Sequence, residues 1–182
     1  YGAALRLLLW AGQLCLAPEL KILLLREWNS PVILVRTKAG QTLLFGAAID
    51  GEKLARAVLK SGVRRIDGVF LSTASAREQK GLEELQALLP VGQVFRPFAG
   101  HNWPGETAVF GPTRVTAQWG LHARKDGGTW RTRGYAGTGK ESLSYQIEYA
   151  GAKVQTGSGN YWVQTPSGAL RSEQNKTVFA RI

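Results

Sequence analysis

Residues 63–89 constrain the fold of this chain more than any other stretch. An apolar run, Ile66 to Leu71, is followed by the polar Ser72-Thr73-Ala74-Ser75 and then by Leu82, Leu85, Leu88 and Leu89 at near-helical spacing. A short, mainly apolar run, with Asp67 its one charged residue, suits a buried strand, and the spaced leucines suit an amphipathic helix over 78–89. A buried strand feeding a helix through a short loop predicts a layered α/β domain. The loop leaving the carboxyl end of such a strand is where open α/β sheets usually bind ligands.

The flanking sequence extends this pattern. Short β-type runs occur at 20–25, 32–37 and 42–45, the last two joined by Lys38-Ala39-Gly40. A helix is predicted over 51–61 with Leu54, Ala55, Val58 and Leu59 on its inner face, and a strand over 91–95. Beyond Pro97, two hairpins are expected, 106–110 with 113–118 around Gly111-Pro112, and 142–149 with 152–156 around Ala150-Gly151. Residues 120–140 read as a loop too long for a mere connection, and the remainder as two short strands.

The chain of 182 residues is long enough for one domain with a sizeable core. It reads as an apolar helix over 1–18 and a domain over 19–182. The run 3–17 is shorter than the roughly 20 apolar residues that cross a bilayer. It therefore suits a helix packed on the domain or the remaining end of a membrane segment. No cationic start precedes it, which disfavours a secretory signal. With no methionine, Tyr1 is not a translation start, so the chain is expected to be part of a longer or processed protein. The single cysteine, Cys15, excludes an internal disulfide framework and a Cys-rich zinc site.

Net charge is +10, from 23 Lys and Arg against 13 Asp and Glu. The densest excess is in residues 101–140, with six cations against two anions. Surfaces of this sign take polyanions such as nucleic acid or acidic headgroups. Arg124, Lys125, Arg131, Arg133 and Lys140 surround Trp130 and Tyr135. Cations for phosphates and rings for bases are what single-stranded nucleic acid requires, although a solvated basic loop has the same composition. Gly134 to Lys140 also matches the first seven positions of a phosphate-binding P-loop. Glu141 stands where Ser or Thr would hold magnesium, and a strand rather than a helix follows, so nucleotide hydrolysis is not expected. Ser72, Thr73 and Ser75 have no neighbouring His and no nucleophile elbow, which disfavours a serine hydrolase.

Several segments at matching intervals resemble the metallo-β-lactamase-like domain of ComEC-type DNA-internalisation (competence) proteins. Residues 20–37 resemble its opening strands, 41–46 its third strand, 62–78 its metal-loop region and 142–154 a late hairpin. The similarity runs from about residue 20 to 160. It implies an α/β metallo-β-lactamase-type αββα sandwich, two mixed β-sheets between helices. It also implies a domain attached to a membrane protein of bacterial DNA uptake, with the membrane-embedded remainder of the same polypeptide and single-stranded DNA as partners. Neither a cofactor nor a small-molecule substrate is expected.

The departures from that family concern its chemistry. The opening turn, Asp-Val-Gly-Gln-Gly-Asp in the family, is Arg26-Glu27-Trp28-Asn29-Ser30-Pro31 here, and Gly46-Ala47-Ala48 replaces the Asp before two glycines. The His-x-Asp-x-Asp-His metal loop is replaced by Thr73, Ser75, Arg77 and Glu78, and Ser158 stands at the late bridging Asp. A two-metal hydrolase needs converging imidazoles and carboxylates. This chain has two histidines, His101 and His122, neither in ligand-like spacing. Arg77 would also place a fixed cation where a divalent ion should sit.

Ser75-x-x-Glu78 instead forms a candidate capping box, with Ser75 accepting from the Glu78 amide and Glu78 reaching back to the Ser75 amide. The alternative is that Arg77 and the helix-start amides take a phosphate. The expected function is a non-catalytic domain that binds or guides single-stranded DNA. A structural domain with Trp28, Trp103 or Trp162 at an interface is the second reading, and an active metal-dependent nuclease the third.

Overall fold

The computed structural model describes residues 20–27, 30–126, 129–134, 142–156, 161–165, 168–171 and 177–180, with side chains for 20–25, 32–120 and 142–156. Expectations for residues 1–18, including Cys15, and for Trp28, Tyr135, Lys140 and Ser158 fall outside the described residues.

Two six-stranded sheets face each other. The first has the order β14-β1-β2-β3-β4-β5. It comprises β1 (Leu20–Glu27), β2 (Ser30–Thr37), β3 (Thr42–Phe45), β4 (Ile66–Phe70), β5 (Val91–Phe95) and β14 (Thr177–Ala180). It is mixed: β3, β4 and β5 run parallel, while the remaining pairs are antiparallel. Helix α1 (Gly51–Lys60) joins β3 to β4, and α2 (Ala76–Leu88) joins β4 to β5. The second sheet, β13-β12-β11-β10-β7-β6, is antiparallel throughout. Its strands are β6 (Thr107–Phe110), β7 (Thr113–Trp119), β10 (Leu143–Tyr149), β11 (Ala152–Thr156), β12 (Tyr161–Thr165) and β13 (Gly168–Arg171). This is the two-sheet α/β sandwich that the sequence led us to expect, except that only the first sheet is mixed, because the strands of the second follow one another through turns and hairpins rather than helical crossovers.

The apolar pattern explains the layers. Ile22, Leu24, Ile33, Val35, Leu43 and Phe45 face the second sheet, while Val32, Leu34, Leu44 and Val69 face the helices. The central strands of the first sheet are thus covered on both faces, which requires nearly continuous apolar runs. In the second sheet, Val115, Ala117, Tyr145, Ile147 and Val154 point into the sandwich. On the opposite alternation Gln118 donates to Gln146 at 3.2 Å and accepts from Gln155 at 3.1 Å. Among the described residues both helices therefore lie on the first sheet. Phe45, Phe70 and Phe95 stack across β3, β4 and β5, with centroids 5.0 and 4.4 Å apart, and Tyr145 tilts onto Phe70 from the second sheet.

Several local expectations need correction. Leu59 and Leu88 lie outward, 37% and 54% exposed, each in the last turn of its helix beyond the buried faces of Gly51, Leu54, Ala55 and Val58 and of Glu78, Gly81, Leu82 and Leu85. Gly81 seats α2 directly on the backbone carbonyl of Ala47, where a Cβ would clash, and Gly51 likewise receives Glu84. That close approach fixes α2, and with it the loop before it. Helix α2 also begins at Ala76, two residues before its expected start, since Ser75 supplies the cap. The tail forms three strands rather than two, the last returning to pair with β1.

The largest correction concerns 120–140. Residues Leu121–Asp126 (β8) and Thr129–Gly134 (β9) pair as an antiparallel hairpin. Arginine and lysine masked the alternation of Leu121 and Ala123 with polar residues, so the segment read as loop.

Candidate functional site

The carboxyl ends of β3, β4 and β5 meet one end of the second sheet. The Leu143 amide donates to the Ser72 carbonyl at 2.8 Å, tying the loop after β4 to the start of β10. The Tyr145 hydroxyl donates to the Leu71 carbonyl at 2.6 Å and accepts from Asn102 Nδ2 at 2.9 Å. Asn102 Nδ2 also donates to the Arg96 carbonyl at 3.0 Å, so one buried amide holds the loop after β5 in place. Burial raises the Tyr145 phenol well above its ordinary 10.0, the nearby Glu78 charge adds to the rise, and the Asn102 hydrogen bond partly offsets it. The phenol is therefore a neutral donor at any physiological pH.

The loop after β4 carries Thr73 and Ser75, and the first turn of α2 carries Arg77 and Glu78. Glu78 is 2% exposed, and its carboxylate accepts from the amides of Ser72 (2.9 Å) and Thr73 (2.7 Å) and from the Thr73 hydroxyl (2.7 Å). Ser75 Oγ accepts from the Glu78 amide at 3.3 Å, as expected for the cap. The return half of the capping box is different. Glu78 passes over the Ser75 amide, which meets Thr73 Oγ1 at 3.4 Å, and serves the amides at the end of β4. Those amides have no strand beyond them, and a charged acceptor satisfies two at once.

These residues do not fit a catalytic metal. The carboxylate present is saturated by donors of its own loop, Thr73 and Ser75 offer neutral hydroxyls, and Arg77, exposed on the first turn of α2, is a permanent cation. Among the described residues no group of three or more His, Cys, Asp or Glu lies close enough to hold a metal ion. His101 stands on the surface, 3.9 Å from Glu106. The same carboxylate bears on the phosphate alternative, because Glu78 already brings a negative charge to the amides before α2.

Of the cationic candidates, Arg124, Lys125, Arg131 and Arg133 lie on the hairpin, while Arg77 lies on α2. The hairpin register sets Arg124 opposite Arg131, His122 opposite Arg133 and Lys125 opposite Trp130. The hairpin is rooted at Gly120, whose amide donates to the Ser142 carbonyl at 2.8 Å and whose missing Cβ leaves room for Ser142.

A feature that the sequence did not single out lies at the same end. Phe98, Trp103 and Trp119 form an aromatic cluster: Phe98 stands 5.6 Å from Trp103 and 5.7 Å from Trp119, centroid to centroid. The two indoles are 48% and 42% exposed. Trp103 is exposed, and the side chains of Trp28 and Trp162 lie outside the described residues. The signal for the cluster is weak in sequence, since Trp119 ends a strand sixteen positions from Trp103 and only the fold brings them together.

No protein-family model matches the chain, and no curated protein does. Among solved structures it is similar to a long-form RNase Z from yeast, with a TM-score of 0.42 and 10% identity, over 75% of this chain and 28% of that one. Among the described residues no helix is long and apolar enough to cross a membrane.

Proposed function

We propose that this is a metallo-β-lactamase-type domain without a hydrolytic centre that binds single-stranded nucleic acid, in the setting of a ComEC-type DNA-uptake protein. The observation that carries the reading is the register of the β8–β9 hairpin. Arg124 faces Arg131, and Arg133 faces His122, across neighbouring strands. Like charges directly opposite one another, as at Arg124 and Arg131, destabilise a two-stranded ribbon by themselves. A phosphate backbone along the ribbon turns that cost into attraction. The net charge of +10 supports the same partner, and Arg77, Lys125 and Lys140 add cations to it. Trp130, in register with Lys125, and Tyr135, two positions after Arg133 in sequence, add aromatic residues to the same stretch of chain. The resemblance supplies the setting, a membrane-embedded remainder of the same polypeptide in a bacterial cell membrane.

Arg124, Arg131 and Arg133 replaced together by Ser test this reading. Affinity for a fluorescent oligothymidine should fall at low salt. The slope of log affinity against log salt should shrink by about 2, at ~0.7 per phosphate contact on single strands. Unchanged affinity and slope would refute the hairpin as the contact.

A further inference from the structure

We infer that Trp103 and Trp119, braced on Phe98, are a stacking platform for unpaired bases. The inference rests on the proposed binding of single-stranded nucleic acid and assigns the base-contacting residues to the sandwich, outside the hairpin. Three observations carry it.

The indoles are presented rather than merely left over. Each is more than two-fifths exposed while packing on the same phenylalanine ring. An indole braced by a neighbouring ring and still exposed to water offers stacking surface at little ordering cost, the feature on which base stacking depends.

The backbone under the cluster is fixed. Phe98 adopts φ of 55°, a left-handed conformation uncommon for a bulky residue, and its amide donates to the Asn102 carbonyl at 3.1 Å. Asn102 is itself buried and clamped to Tyr145 and the Arg96 carbonyl. Gly105 donates to the Ala117 carbonyl at 2.7 Å, and Glu106 Oε2 accepts from the Trp103 amide at 2.9 Å. On the other side Ser144 Oγ donates to the Trp119 carbonyl at 3.2 Å. Strained geometry held by so many bonds is characteristic of sites that must keep a shape.

The charge around the cluster selects the occupant. Arg96 is exposed two residues before Phe98. Trp119 is followed, after Gly120, by the hairpin that carries Arg124, Arg131 and Arg133. Apolar rings with cations on the adjoining segments of the chain complement a strand whose bases are apolar and whose backbone is anionic. An apolar protein partner would gain nothing from the arginines.

The test compares oligothymidine with an abasic oligomer of equal length, which keeps the phosphates and lacks the bases. Wild type should prefer oligothymidine by at least about tenfold. Trp103→Ala with Trp119→Ala should abolish the preference and leave the salt slope unchanged. Trp103→Phe with Trp119→Phe should restore most of it, which also separates loss of stacking from loss of folding. The triple Arg-to-Ser hairpin variant should weaken both oligomers and keep the preference. Equal binding of both oligomers by wild type, or a preference that survives the double Ala variant, would overturn the platform while leaving nucleic-acid binding standing. No binding of either oligomer at low salt would overturn both.

Discussion

Two loops leave neighbouring parallel strands of the first sheet and have opposite fates. The loop after β4 spends its polar groups on one another, with the amides of Ser72 and Thr73 held by the buried Glu78. The loop after β5 buries its one clamp, Asn102, and turns Trp103 outward. Position in the fold makes both loops natural places for a ligand, but residue chemistry decides which can serve as one. A loop whose donors and acceptors satisfy one another has nothing left to offer. A loop anchored from beneath and exposed above has.

Stability measurements can break this contrast. Glu78→Ala should have the largest effect, about 3 kcal/mol in urea unfolding, because two amides and a hydroxyl lose a charged acceptor in a buried site. A cost near zero would mean that the loop is not sealed as described.

Tyr145→Phe should cost about 1–2 kcal/mol, by leaving the Leu71 carbonyl and one Asn102 donor without their shared partner. It should also change the alkaline limb. The folded phenol titrates above its unfolded value of 10.0, so its contribution is complete below that pH and is lost as pH rises beyond it towards the folded value. The wild-type urea midpoint should therefore fall more steeply above pH 10 than that of Tyr145→Phe. Parallel curves would contradict the buried, neutral phenol.

Trp103→Ala should cost least, about 1 kcal/mol or below, since the indole is already half in water. A cost matching that of Glu78→Ala would make the aromatic cluster a part of the core and erase the comparison.

Much of this architecture was legible in the chain. The mainly apolar run from Ile66 to Leu71 read as a buried strand despite Asp67, and Ser75 three residues before Glu78 marked a helix start. Two kinds of information were not legible. The target of Glu78 depends on which amides the end of β4 leaves unpaired, and that is set by the sheet rather than by local spacing. The aromatic cluster depends on β7 returning past the loop after β5, a contact between segments with no shared period. The hairpin was missed because cations at alternate positions imitate a polar loop, while pairing across the turn is a property of two strands together.

The most direct test of the account is one titration of the protein into a fluorescent oligothymidine, at low and physiological salt, with manganese or with EDTA, the oligomer then being run on a gel. The account predicts binding that weakens steeply with salt, is indifferent to EDTA and leaves the oligomer intact. Cleavage that requires manganese would contradict it, because the loop after β4 would then hold a metal despite Glu78; absence of binding at low salt would contradict the assignment of a nucleic-acid partner.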